Sequence, residues 1–219
     1  MSETDSFIDE VTEEVRRDRL FALFRKYGWI GILAILILVG GASWREWQKA
    51  RAEAAAQSFG DALVASLRQN DAAGRADALA AVDAGTDAAR AAMKALLVAS
   101  EAEAAGDKAR ALDALKPVAA DAAVPDTYRQ LAKLKSVLIA GAEMDAAARD
   151  AALAELAQPG APFRTLAMEQ QALVLLDAGK QDEAVALLKS VVEDAEATGA
   201  QVGRVGQILT ALGAGDQQG

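Results

Sequence analysis

The pattern of apolar and polar positions changes character once along the chain. From Tyr27 to Trp44 runs a stretch of eighteen residues without a charge, YGWIGILAILILVGGASW, closed by Arg25 and Lys26 before it and by Arg45 and Glu46 after it. Eighteen helical residues rise ~27 Å at ~1.5 Å each, close to the ~30 Å of a bilayer's hydrocarbon core. Tyr27 and Trp29 stand at one end and Trp44 and Trp47 at the other, where amphipathic rings favour the two membrane interfaces. The pattern predicts a transmembrane anchor over 27–47. Buried core helices rarely stay this apolar beyond ~14 residues. A cleaved signal peptide is the other rival, but the segment before the run carries seven acids, and Gly40–Ser43 leads into tryptophans rather than an A-x-A site.

Beyond the run the period becomes that of amphipathic helices. Trp47 to about Gln69 reads as a helix with Phe59, Leu63 and Leu67 on one stripe and Gly60 as a weak point. Three helical pairs follow: Ala89–Ala105 with Lys108–Ala120, Thr127–Ala140 with Ala146–Ala157, and Thr165–Ala178 with Asp182–Ala197. Their breaking glycines, Gly106, Gly141 and Gly179, lie 35 and 38 residues apart, close to the ~34-residue period of tetratricopeptide (TPR) repeats. Small and large residues recur in that frame. Ala99 and Ala172 precede their glycine by seven positions, Ala111 and Ala184 follow by five, and Leu115 and Leu188 follow by nine. In the middle unit the ninth position is Asp150, so its turn must be longer. A last helix, Gln201–Leu212, puts Val202, Val205, Ile208, Leu209 and Leu212 on one face, as a solenoid's terminal cap requires.

The expected fold is therefore all-α: a single N-terminal transmembrane helix followed by a TPR-like α-solenoid of helical hairpins. The expected organisation is a charged cytosolic tail over 1–26, the anchor over 27–47, a TPR-like domain over 48–213 and a flexible end over 214–219. In the tail, Phe7, Ile8, Val11, Val15, Leu20, Phe21 and Phe24 recur near helical spacing. Two readings stand there: an amphipathic helix running up to the bilayer, or a tail that orders only beside it.

Composition narrows the chemistry. Aromatics make up only 5% and alanine supplies much of the 53% hydrophobic content, which suits closely packed helices. The net charge of −9 and the lack of a basic face argue against nucleic acid. Cysteine and histidine are both absent, which removes disulfides, Cys/His zinc sites and nucleophile–His pairs. Carboxylates such as Glu101 and Glu103 are expected on solvated faces, and Asp107, Asp145 and Asp182 in or near turns. No catalytic residue, metal site, cofactor or small-molecule substrate is expected. Five basic residues lie before the run (Arg16, Arg17, Arg19, Arg25, Lys26) and three closely after it (Arg45, Lys49, Arg51), so the positive-inside rule keeps the N-terminus cytoplasmic.

A basic pair, a glycine-containing apolar run and then Gly41-Ala42-Ser43-Trp44-Arg45-Glu46-Trp47 resemble the G-x-x-W-R-x-W region of the YfgM-like family. The layout is similar over nearly the whole chain, although the tail here is longer and more acidic. The resemblance implies a bacterial inner-membrane protein whose periplasmic domain contacts the SecYEG translocon and a membrane-anchored chaperone of prolyl-isomerase type.

For binding, the first helices of TPR-type units line a shared surface. In this register it comprises Met93, Leu96, Tyr128, Leu131, Lys135, Glu169 and Leu173. One reading is a groove for a partner or client segment; the other is that these residues pack on one another or beneath Gln201–Leu212. Two functions follow: an anchored interaction protein working through its repeats, or an accessory subunit of another membrane complex held mainly by its transmembrane helix, where Gly28, Gly31, Gly40 and Gly41 permit close helix packing.

Overall fold

The computed structural model describes the backbone of residues 3–215 and the side chains of residues 25–27 and 29–215. The apolar stripe expected from Phe7 to Phe24 and the last four residues of the expected flexible end lie outside the described side chains. Among the described residues every element is helical: α1 (Glu3–Ser66), α2 (Ala72–Ala80), α3 (Ala88–Ala104), α4 (Lys108–Ala120), α5 (Asp126–Ala140), a 3-10 turn (Gly141–Glu143), α6 (Ala146–Leu156), α7 (Arg164–Asp177), α8 (Gln181–Val192) and α9 (Gly199–Ala211). By its internal contacts the chain divides into residues 1–58 and 59–219.

In the first unit the described side chains of α1 are exposed throughout, including all of 48–58. The second unit begins within α1, which Gly60 does not interrupt: Phe59 and Leu63 bury against Leu79, Val82, Ala84 and Val98. That burial also explains α2, which the sequence pattern does not reveal. Its nine residues, AAGRADALA, carry one large apolar side chain, and short helices are marginal alone. Asp71 caps it through the Gly74 N–H at 2.7 Å, Leu79 and Ala76 are fully buried, and Arg75 pairs with Glu101 of α3 at 2.7 Å.

The second unit is a run of small cores, each shared by sequence neighbours. α3, α4 and α5 close around Ala99, Ala111, Leu115 and Ala132. α5, α6 and α7 close around Leu134, Leu153, Leu156 and Ala167. α7, α8 and α9 close around Ala172, Ala184, Leu188, Val191 and Val205. α5 gives one face to the first of these cores and another to the second, and α7 likewise serves two. This is the nearest-neighbour packing of a solenoid.

The repeated positions read from the sequence sit at the crossings. Ala99, Ala111, Leu115, Ala172, Ala184 and Leu188 are all fully buried. Alanines let each pair of helix axes approach, and the leucine fills the space between them. The turns follow the same logic. Gly106 (φ 81°) and Gly179 (φ 74°) take the left-handed conformation that side chains resist, and each ends its helix in a Schellman pattern. The N–H of Asp107 donates to the Ala102 carbonyl at 2.8 Å and that of Lys180 to Leu175 at 2.9 Å. Asp107 then caps α4.

The middle unit has the lengthened turn that Asp150 required. The 3-10 turn Gly141–Glu143 and the cap at Asp145 separate α5 from α6, and α6 packs on α5 over a shorter stretch than α4 on α3 or α8 on α7. One boundary differs from expectation: α8 ends at Val192, not near Ala197. Asp194 turns the chain by accepting from the Glu196 N–H at 2.9 Å, and Arg164 of α7 holds Asp194 at 2.6 Å and Glu196 at 2.9 Å. Those hydrogen bonds, first from the Glu196 backbone and then from Arg164, hold the Asp194 carboxyl below its usual value. A depressed carboxyl contributes stability above its unfolded-state pKa, ~3.9, which is lost as pH falls through the lower folded value. The stability gap between the wild type and Asp194→Asn, followed by denaturant unfolding, should therefore be constant above about pH 5 and shrink below about pH 4. A gap unchanged down to pH 2 would contradict this.

Candidate functional site

Two surfaces carry the residues singled out from the sequence. The first lies on α1. Among the described residues, α1 from Trp29 onward is the one helix long and apolar enough to cross a membrane, and none of its apolar window is buried. Ile32, Ile35, Leu36, Ile37 and Leu38 are each more than 60% exposed, a contiguous apolar surface that water does not favour. Tyr27, Trp29, Trp44 and Trp47 are exposed as well. The Trp44 and Trp47 rings lie 5.1 Å apart at 41°, and the Arg51 guanidinium stands 4.5 Å over Trp47. Lys26 stands 5.3 Å over Tyr27. Each end thus pairs an aromatic ring with a cation, an arrangement suited to the headgroup layer.

The second surface is the row of first helices. Leu96 and Tyr128 pack against the α3–α4–α5 core, so each is only partly available. Leu131 is half-buried. Lys135 of α5 reaches Glu103 of α3 at 3.9 Å, tying adjacent first helices across the surface. Met93 is 40% exposed. Leu138 is 50% exposed and was missed from the sequence, although it lies seven residues after Leu131 and three after Lys135, on the same helical face. On this face Met93 and Leu138 are the exposed large apolar side chains, with Leu131 half-buried.

Glu169 and Leu173 are placed differently. Glu169 is 3% exposed and lies beneath α9. Its carboxylate accepts from Arg204 at 2.7 and 2.8 Å and from Gln201 at 3.0 Å. The hydrogen bonds that Arg204 itself donates to Glu169 raise its guanidinium pKa. Glu169 therefore holds the cap helix. Leu173 is half-buried. Glu101, expected to be solvated, is instead partly covered by its pair with Arg75.

The family model described as a tetratricopeptide repeat-like domain matches residues 24–205. The chain belongs to the tetratricopeptide repeat-like family. No curated protein and no solved structure matches it. The family match starts ahead of the apolar run, so the tetratricopeptide repeat-like unit takes in the candidate membrane helix as well as the hairpins. Domains of this kind present helical surfaces for protein–protein interaction.

Proposed function

We propose that the protein is a non-enzymatic interaction module anchored in a bacterial inner membrane by residues 27–47, with residues 48–213 on the periplasmic side. There it serves as an ancillary subunit of the Sec translocon and links it to a membrane-anchored periplasmic chaperone of prolyl-isomerase type. The observation that carries this reading is the single family match running from residue 24 through the hairpins. The translocon and the chaperone come from the likeness of residues 41–47 to the YfgM-like family. The anchor raises the local concentration of the repeats at the membrane, so weak contacts on the first-helix face suffice.

Affinity purification of the full chain in mild detergent, followed by mass spectrometry, should recover translocon subunits and a periplasmic chaperone. Recovery of neither sinks the specific reading. Removing residues 48–219 should abolish capture; a truncated chain that still captures the same complex would instead favour an accessory subunit held by its transmembrane helix. An alkaline phosphatase fused after Gly219 should be active, and an expressed but inactive fusion reverses the orientation.

A further inference from the structure

The stretched middle hairpin has a consequence on the side of the molecule formed by the second helices. Because α6 covers only part of α5, a cleft of about 510 Å³ stays open between α4, α5 and the turn into α6. That volume lies in the ~300–1,000 Å³ range of sites that enclose small ligands or a few side chains. Its floor is apolar: Leu112, Ala119, Val137, Ala140, Met144 and Ala152. The Ser136 hydroxyl, also on its wall, is already committed to the Ala132 carbonyl at 2.8 Å.

The rim is of mixed charge, with Lys116, Lys133 and Glu143, in a chain that has 23 basic and 32 acidic residues. Lys116 and Lys133 border the cleft directly. Lys133 pairs with Glu155, and the rim carboxylate Glu143 pairs with Lys108. Lys116 is exposed and has no carboxylate partner among the described residues.

We infer that this cleft docks a linear segment of a partner protein in which one or two large apolar side chains enter the α4–α5–α6 opening and an adjacent carboxylate meets Lys116. The apolar floor supplies most of the binding and the cation sets the partner's sign. The site is separate from the first-helix face, so it adds a second docking point to the proposed scaffold.

The test uses the full chain in nanodiscs and random seven-residue peptides displayed on phage. Enriched peptides should combine Leu, Ile or Phe with Asp or Glu. Fluorescein-labelled copies, followed by anisotropy, should bind Lys116→Glu at least tenfold more weakly, and likewise Ala152→Trp, which fills the cleft. Leu138→Lys, on the first-helix face, should leave their affinity unchanged. Ala152 is half-buried, so circular dichroism checks that variant; Lys116 is exposed and stands as the independent probe. No enrichment, enrichment of basic peptides, or binding lost only in Leu138→Lys overturns the proposal. A concentration-dependent dimer abolished by Ala152→Trp would give the cleft to a second copy instead, and also overturns it.

Discussion

Replacing Arg204 with methionine should destabilise the C-terminal end of the repeat domain by about 2–4 kcal/mol, somewhat below the ~3–5 kcal/mol of a fully buried pair. The reason is asymmetric burial. Glu169 is 3% exposed, whereas the Arg204 side chain is 50% exposed. Losing the arginine leaves a carboxylate in a dry position with only the Gln201 amide as donor. Losing Glu169 instead frees a guanidinium that can turn toward water, so Glu169→Gln should cost less. The double variant Glu169→Gln/Arg204→Met should recover more than half of the single-variant loss, because two neutral amides then face each other. Urea unfolding of the full chain in detergent measures the losses, and hydrogen exchange should place them in α7–α9. A loss below about 0.5 kcal/mol for Arg204→Met would mean the buried carboxylate finds another partner.

Leu188→Ala should cost about 2–5 kcal/mol, the range for removing a fully buried leucine and leaving its space unfilled. Leu188 is completely buried where α7, α8 and α9 meet. It shares that core with Ala172, Ala184, Val191, Val205 and Leu209, and the upper end of the range applies to the extent that these side chains fail to close over the space. Leu115→Ala, at the matching position of the first hairpin, should behave alike, since Leu115 is also fully buried, in the α3–α4–α5 core. In a solenoid each loss should stay local: exchange should rise in α7–α9 for the first variant and in α3–α5 for the second. Uniform acceleration across both regions would show that the hairpins unfold as one block.

Much of this was legible in residue spacing, and the exceptions share a cause. The three hairpins, their glycine turns and the long turn after α5 follow from local chemistry: left-handed glycine, aspartate caps and apolar period. α2 was not legible, because its helicity depends on Leu79 meeting Phe59 and Val98, residues distant in sequence. The end of α8 was misplaced for a similar reason. Residues 193–197 continue a helical pattern, but Arg164, some thirty positions earlier, bends them out of it. Within the expected binding face, spacing put Glu169 beside Leu131 and Lys135, yet only the docked cap decides whether it meets a partner or Arg204.

Sequence alone determined that the chain is helical, that residues 27–44 are uncharged and aromatic at both ends, and that small and large residues alternate at a TPR-like period. These are statements about the order and spacing of residues along the chain, from which backbone geometry sets which side chains share a face. Only the tertiary structure decided which of those faces remain free. Leu96 and Tyr128 are drawn partly into a core, Met93 and Leu138 stay open, Glu169 is sealed beneath α9, and a cleft opens beside Lys116. Those outcomes depend on how separate helices pack against one another, and short-range spacing carries no information about that.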